Sequence, residues 1–303
     1  MRPLYEGVVA EEEIDHLGHM NVRFYLDKAL QATRTLAHGL GLDAAAQEMG
    51  GVVGVPHLFT RHFREQLAGA RLVVQGGVLG ARGDGLRFYH ELQNVENGEL
   101  AASFVHDVQL EDAEARKPMP LPESVAARVA EEVADLPERG RPRTLDLDAR
   151  PREIPLSLAL SRGLAMREPR VVGADECDED GVHLVSRHQD LVWGGIPFPP
   201  REGDGPLMRL ADGTPFGWAT LESRATLHHL PRVGTRIQSF GAEVEIARKT
   251  SVRHHWVFDV DTERLVCTSQ IVNLAFDIGA RRAIEWPPEI RADLERRFHP
   301  DLR

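Results

Sequence analysis

With 303 residues the chain has room for one large domain or two of about 150 residues, and its 42% hydrophobic content is that of a folded globular protein. A formal charge of −11 excludes a broad basic face for nucleic acid or an anionic membrane surface, and no run reaches the roughly 18 apolar residues of a membrane span. Cys177 and Cys267 carry no metal or redox spacing, and "MRPLYEGVVAEEE" turns acidic where a signal peptide needs an apolar run; both predict a cytoplasmic protein.

In chain order, a short strand, "LYEGVVA", leads into the polar turn "DHLGHMN" and then a helix. Val22, Tyr25, Leu26, Ala29, Leu30, Leu36, Ala37 and Leu40 form its apolar stripe, while Asp27, Gln31, Arg34 and His38 mark the other side at steps of three and four. Asn21 is placed to cap its start, and Gly39 and Gly41 to end it. Strands rich in Val, Phe and Thr follow at "RLVVQGGVL", "LRFYHELQN" and "LAASFVHDVQL", then a proline-initiated helix, "PESVAARVAEEVADL". The stretch "PERGRPRTLDLDARPREIP" has no apolar period and reads as a surface linker.

Beyond it the series recurs. "PRVVGAD" and an acidic turn precede a short helix expected to stop at Gly194-Gly195; then come "TRIQSFGAEVEIA", "SVRHHWVFDV", "RLVCTSQIVNLAF" and "PPEIRADLERRF". Gly69, Arg71, His90, Leu100, Asp112, Arg116 and Pro122 fall on Gly234, Arg236, His255, Leu265, Asp277, Arg281 and Pro287, an offset of 234 − 69 = 165. Upstream the offset is 163, setting Asp15 on Asp178 and Gly18 on Gly181. A collinear repeat of this kind predicts two copies of one architecture, spanning 1–135 and 167–303 with a linker at 136–166.

A strand, the turn Asp15-His16-Leu17-Gly18-His19-Met20-Asn21, a long helix carrying Tyr25 and a following meander resemble the hotdog fold. The likeness is to the thioesterase branch that includes 4-hydroxybenzoyl-CoA thioesterase and the acyl-ACP thioesterases, whose "D-x-x-G-H-x-N" turn precedes the central helix. Over the whole chain the resemblance implies an α+β tandem (double) hotdog, each half a long helix wrapped by an antiparallel sheet. Plant-type acyl-ACP thioesterases have an asparagine where this chain has Leu17, so a mechanism needing that amide is not carried over. The second half keeps Asp178 and Gly181 but lacks "GHMN" and reads as the degenerate partner, with Asp178 and His183 a possible second site.

The implied activity is hydrolysis of acyl-CoA or acyl-ACP, the coenzyme A or phosphopantetheine arriving as part of the substrate and no separate cofactor being needed. Asp15 is expected as general base or as nucleophile, His19 to orient water or carbonyl, and Asn21 to cap the helix and hold the loop. Helix N–H groups around Asn21–Arg23 are expected to polarise the carbonyl. Gly18, Met20, Val22 and Tyr25 are expected around the substrate, and the basic residues Arg64, Arg248 and Lys249 (with Arg61 and Arg253 beside them) at its phosphates. The spacing of His16 and His19 suggests a metal, but no third ligand is near in sequence, so none is expected. An enoyl-thioester hydratase, with Asp178 and His183 as its acid and histidine, and a non-catalytic acyl-thioester binder stay open as alternatives. The partner set is a small acyl-CoA or an acyl carrier protein, with the chain a monomeric double hotdog or a homodimer.

Overall fold

The computed structural model describes the chain except residues 16, 150, 194–207, 210–212 and 214. It resolves into two compact units, Met1–Arg143 and Thr144–Arg303. The first contains β1 (Arg2–Val8), α1 (Val22–Leu40), α2 (Leu42–Glu48), β2 (Gly51–His62), β3 (Arg71–Arg82), β4 (Gly85–Asn94), β5 (Leu100–Asp112), β6 (Pro118–Met119) and α3 (Glu123–Glu132). Its antiparallel sheet runs β1-β3-β4-β5-β2, with β6 on β5.

Helix α1 has the predicted bounds because both ends are chemically marked. The Asn21 side chain accepts the Arg23 N–H at its start, and Gly41, at φ +84°, ends it in a left-handed conformation. Tyr25, Ala29, Ala32, Leu36, Ala37 and Leu40 are buried against Leu72, Val74, Val78, Phe88, Phe104 and Val108. The three alanines bring the helix axis close to the sheet, whose strands present alternate residues to it. Gln31, Arg34 and His38 face solvent, as the stripe requires.

Strand β2 is the element the sequence hides. Gly51, Gly54 and Pro56 interrupt its alternation, and the β2–β5 register slips between Gly54 and His57, so Pro56 is accommodated without breaking the ladder.

The second unit contains α4 (Leu156–Ser161), β7 (Arg170–Val171), α5 (His188–Trp193), β8 (Met208–Arg209), β9 (Pro215–Leu227), β10 (Arg236–Ile246), β11 (Thr250–Asp259), β12 (Leu265–Asp277), β13 (Arg282–Ala283) and α6 (Pro288–Arg296). Its sheet order is β9-β12-β11-β10-β7, with β8 on β9 and β13 on β12. Helix α5, which packs on β10, β11 and β12, has six residues, so a second long helix does not occur among the described residues. Its expected end at Gly194-Gly195 lies outside them.

The stretch expected as a surface linker, 136–166, is largely exposed or half-buried among its described residues but is anchored at several points. Ile154, Leu156, Ala159 and Leu164 are buried in a core with Phe240, Trp256 and Phe258, and the Trp256 indole N–H donates to the Arg152 carbonyl at 2.7 Å. Its apolar residues are too irregularly spaced to show a period, and backbone groups make many of its contacts.

Candidate active site

The turn before α1 closes on itself. Ile14 and Met20 form an isolated antiparallel bridge, the Asp15 N–H donates to the His19 carbonyl at 3.0 Å, and the Gly18 N–H donates to the Asp15 carbonyl at 2.9 Å. Gly18 sits at φ +83°, where a side chain would be strained. Within this frame the Asp15 carboxylate, 9% exposed, is fixed from two sides. Its Oδ1 accepts the Leu17 N–H at 2.9 Å and its Oδ2 accepts Asn21 Nδ2 at 3.3 Å. Asn21 therefore does two things with one amide: its oxygen caps α1 through Arg23 at 3.1 Å, and its nitrogen orients Asp15.

His19 points from the same turn toward the loop that follows β2. Its Nε2 lies 3.3 Å from Glu65 Oε1 and its Nδ1 3.8 Å from Asp15 Oδ1. That loop is itself pinned, because the Met20 N–H donates to the Gln66 carbonyl at 2.7 Å and the Tyr25 hydroxyl donates to the Arg64 carbonyl at 3.1 Å. Burial, reinforced by the Asp15 charge, raises the Tyr25 pKa above the usual phenol range, so its O–H stays a donor. Tyr25 also meets the His62 ring edge-on at 5.3 Å, and burial pushes His62 down to about 4, leaving a neutral imidazole. Behind the turn, buried Lys28 donates to both oxygens of Glu13 at 2.5 and 2.8 Å, while the Glu13 carbonyl accepts the Asn21 N–H at 2.9 Å. Sequence reasoning missed Glu65, Glu13 and Lys28. A lysine on the buried side of α1 was the one available signal, since an ammonium there needs an anion.

Other expected site residues are placed differently. Met20 and Tyr25 are closed into the core at 1% and 3% exposure, and both tie the turn to the Glu65 loop. Of the N–H groups expected to polarise a carbonyl, that of Asn21 is used by Glu13 and that of Arg23 by the cap. This leaves the N–H of half-buried Val22, the first helical residue, which has no acceptor within its helix. Arg64 turns its guanidinium to Glu99 at 3.6 Å and contributes its carbonyl to the site instead. Arg61 is 8% exposed and donates to the Arg141 carbonyl, Arg248 pairs with Glu285 at 2.5 Å, Lys249 donates to the Ala283 carbonyl and Arg253 faces buried Glu243 at 3.5 Å. These cations are tied into structure within their own units. His16 lies outside the described residues. No group of three potential metal ligands occurs among the described residues.

The second unit repeats the backbone hydrogen bonds of the turn with different side chains. The Asp178 N–H donates to the Val182 carbonyl, the Gly181 N–H to Asp178, His183 N–H to the Pro231 carbonyl and Leu184 N–H to the Glu176 carbonyl. Each has a counterpart at Asp15, Gly18, Met20 and Asn21. Asp178 is exposed, with its Oδ1 taken by the Asp180 and Val182 N–H groups, whereas the buried His183 ring faces Glu176 at 3.6 Å. The Asp178 carboxylate is thus engaged by its own turn, while the His183 ring faces Glu176.

Residues 9–129 match the family model of the thioesterase-like superfamily. Over 139 residues the chain is 32% identical to an L-carnitine dehydrogenase/betainyl-CoA thioesterase of Agrobacterium fabrum, a match covering 45% of this chain and 28% of that protein. The chain thus spans little more than a quarter of the length of that relative. Among solved structures, an acyl-ACP thioesterase from Bacteroides thetaiotaomicron superposes with a TM-score of 0.65 at 13% identity, covering 89% of this chain and 96% of the other. The 12:0-ACP thioesterase of Umbellularia californica gives 0.68 at 11% identity, covering 89% and 93%. The chain has the fold of these thioesterase structures, and its residues 9–129, which carry the Asp15 turn, match the thioesterase-like superfamily model.

Proposed function

We propose that the chain hydrolyses acyl thioesters, with Asp15 as the catalytic carboxylate. The observation that carries this reading is a carboxylate held by Leu17 and Asn21 at the N-terminus of α1. A thioester bound with its carbonyl oxygen toward the Val22 N–H gains the positive end of the helix dipole as charge develops on that oxygen. Asp15 takes a proton from water as the water oxygen bonds the carbonyl carbon. Collapse of the tetrahedral adduct breaks the C–S bond, and the thiolate leaves with little need of an acid, since a free thiol has a pKa of about 8.5. Alternatively the carboxylate attacks directly, giving a mixed anhydride that water then cleaves. His19, steadied by Glu65, orients the water or the carbonyl.

The carrier is coenzyme A or an acyl carrier protein, and the carrier thiol is part of the substrate. The name of the Agrobacterium relative makes betainyl-CoA the first acyl-CoA to assay. We read the chain as a tandem double hotdog, 1–135 with the working turn and 167–303 with a degenerate one. The hydrogen bonds shared between the two turns support this, as do the matched left-handed residues Arg116 and Arg281 at φ 53° and 52°. The reading includes a cytoplasmic location and a monomer or homodimer; no described helix is long and apolar enough to cross a membrane.

The test is thiol release from a panel of acyl-CoAs and acyl-ACPs, wild type beside Asp15→Asn. General-base work contributes about 100- to 10,000-fold, and a loss of that size in a folded variant is expected. Equal rates in the two proteins, or no thiol release from any substrate by wild type, would overturn the assignment.

A further inference from the structure

The glutamate ahead of the Asp15 turn recurs in the second unit with the same backbone partners. Glu13 Oε2 accepts the Ala10 N–H at 3.3 Å, and the Glu13 carbonyl accepts the Asn21 N–H at 2.9 Å. Glu176 Oε1 accepts the Gly173 N–H at 3.1 Å, and its carbonyl accepts the Leu184 N–H at 3.0 Å. These positions match at the offset of 163: Ala10 with Gly173, Glu13 with Glu176 and Asn21 with Leu184.

The cation on that glutamate differs. Lys28 of α1 donates to both Glu13 oxygens at 2.5 and 2.8 Å, the two side chains being 3% and 14% exposed. Glu176 takes its cation from β7 instead, where Arg170 donates to it at 2.6 and 2.8 Å. Leu191, 1% exposed, stands at the position matched to Lys28, and Gly7 at the one matched to Arg170. The second unit thus places an apolar side chain where the first has a buried ammonium, and neutralises its glutamate from the strand. A buried ion pair is also a poor way to gain stability, because desolvating two charges offsets much of their attraction. Packing and charge balance alone therefore do not call for a lysine on the helix.

A lysine on the helix does one thing that an arginine on the strand does not: it ties α1 itself to Glu13. Helix side chains tilt toward the N-terminus, so the ammonium reaches back along α1. From Glu13 the path to the carboxylate is short. Its carbonyl holds the Asn21 N–H, Asn21 Oδ1 caps the helix at Arg23, and Asn21 Nδ2 holds Asp15 Oδ2 at 3.3 Å. Leu184, matched to Asn21, has no amide to extend such a path. The bracing of the helix accompanies the amide that holds the carboxylate. We propose that Lys28 and Glu13 are positioning residues that fix the N-terminus of α1, with the Val22 N–H, against the Asp15 carboxylate. The proposal rests on the thioester reading above for its reaction.

The test separates positioning from stability. Lys28→Met/Glu13→Gln removes both charges, strands neither, and leaves a side-chain oxygen for the Ala10 N–H. Thiol release from one acyl-CoA and amide hydrogen exchange are measured on this variant and on wild type, with urea unfolding as the stability reference. In the folded variant kcat is expected to fall by about 10- to 100-fold with KM little changed. Exchange at the Asn21 N–H is expected to quicken by more than at Leu36, a buried residue further along the same helix. Leu36 reports global loosening, so the comparison holds even where the variant is the less stable protein. A kcat equal to that of wild type, or equal acceleration at Asn21 and Leu36, overturns the proposal and leaves the pair a purely stabilising one. If wild type releases no thiol, the hydrolytic reading falls and exchange alone decides: selective quickening at Asn21 supports the bracing of the turn, and its absence overturns it.

Discussion

Glu65 Oε1 stands 3.3 Å from His19 Nε2, although the two residues come from different loops and neither has a fixed place in an element of regular structure. The contact holds because both loops are pinned by backbone hydrogen bonds, Met20 to Gln66 and Tyr25 to Arg64. On the thioesterase reading proposed above, Glu65 works through His19 as a positioning residue. Glu65→Ala frees the imidazole to turn, and kcat is expected to fall by about 10- to 100-fold with KM little changed. Glu65→Gln keeps an acceptor at the same reach and is expected to recover most of that loss. Steady-state kinetics of the two variants on one acyl-CoA check it, and equal losses in both would remove the hydrogen-bonding role.

A second prediction concerns the pair behind the turn. Lys28 is 3% exposed and Glu13 14%, and their contact ties α1 to the segment whose carbonyl receives the Asn21 N–H. Removing one partner strands a buried charge, which costs about 3–5 kcal/mol. Lys28→Met alone is therefore expected to lower the urea midpoint sharply. Lys28→Met with Glu13→Gln, which removes both charges, is expected to regain most of it. If the double variant is no more stable than the single one, the pair is not coupled as the geometry states.

How much of this was legible beforehand follows from the kind of signal each element leaves. Helix α1 and its caps were readable because a 3.6-residue stripe, Asn21 and Gly41 all mark the same bounds. The Asp15 turn was readable through its motif. Strand β2 was not, since Pro56 and its glycines erase the alternation that a bulge then tolerates. The segment 144–164 was not, because it packs through a carbonyl, Arg152 to Trp256, as much as through side chains. Glu65 was hidden for a third reason: its role depends on distance across the fold, and no local pattern carries that information.

Buried histidines give a third prediction, on pH. His90, His188 and His254 are 0%, 6% and 4% exposed, and burial pushes them down to about 3, 4 and 4. The unfolded chain protonates these rings near pH 6.5, while the folded one resists until about pH 4 or below. Their contribution to stability is complete above about pH 6.5 and is lost as pH falls toward 4, on the order of 2 kcal/mol for each at pH 5. Thermal melts between pH 7.5 and 4.5 are expected to fall steeply below 6.5. His254→Gln is expected to flatten the drop; an unchanged slope would show that His254 does not titrate as stated.

The last prediction uses the interior of the first unit. Thr33 Oγ1, 1% exposed, lies 2.9 Å from His90 Nε2 and 2.8 Å from His106 Nδ1, and donates to the Ala29 carbonyl at 3.0 Å. A hydroxyl has one proton, so with that proton on Ala29 both rings must act as donors to it. His90 is held there by the absence of a side chain at Gly76, where a Cβ would fall 2.2 Å from His90 Nδ1. Gly76→Ala must therefore move the ring, break its bond to Thr33 and leave buried polar atoms unsatisfied, an expected loss of about 2–4 kcal/mol. The neighbouring Gly77 is the control, because a Cβ there meets nothing nearer than 3.9 Å. Gly77→Ala is expected to leave the urea midpoint within about 0.5 kcal/mol of wild type. Equal effects at the two positions would mean that β-strand propensity, and not the seat of His90, decides the cost.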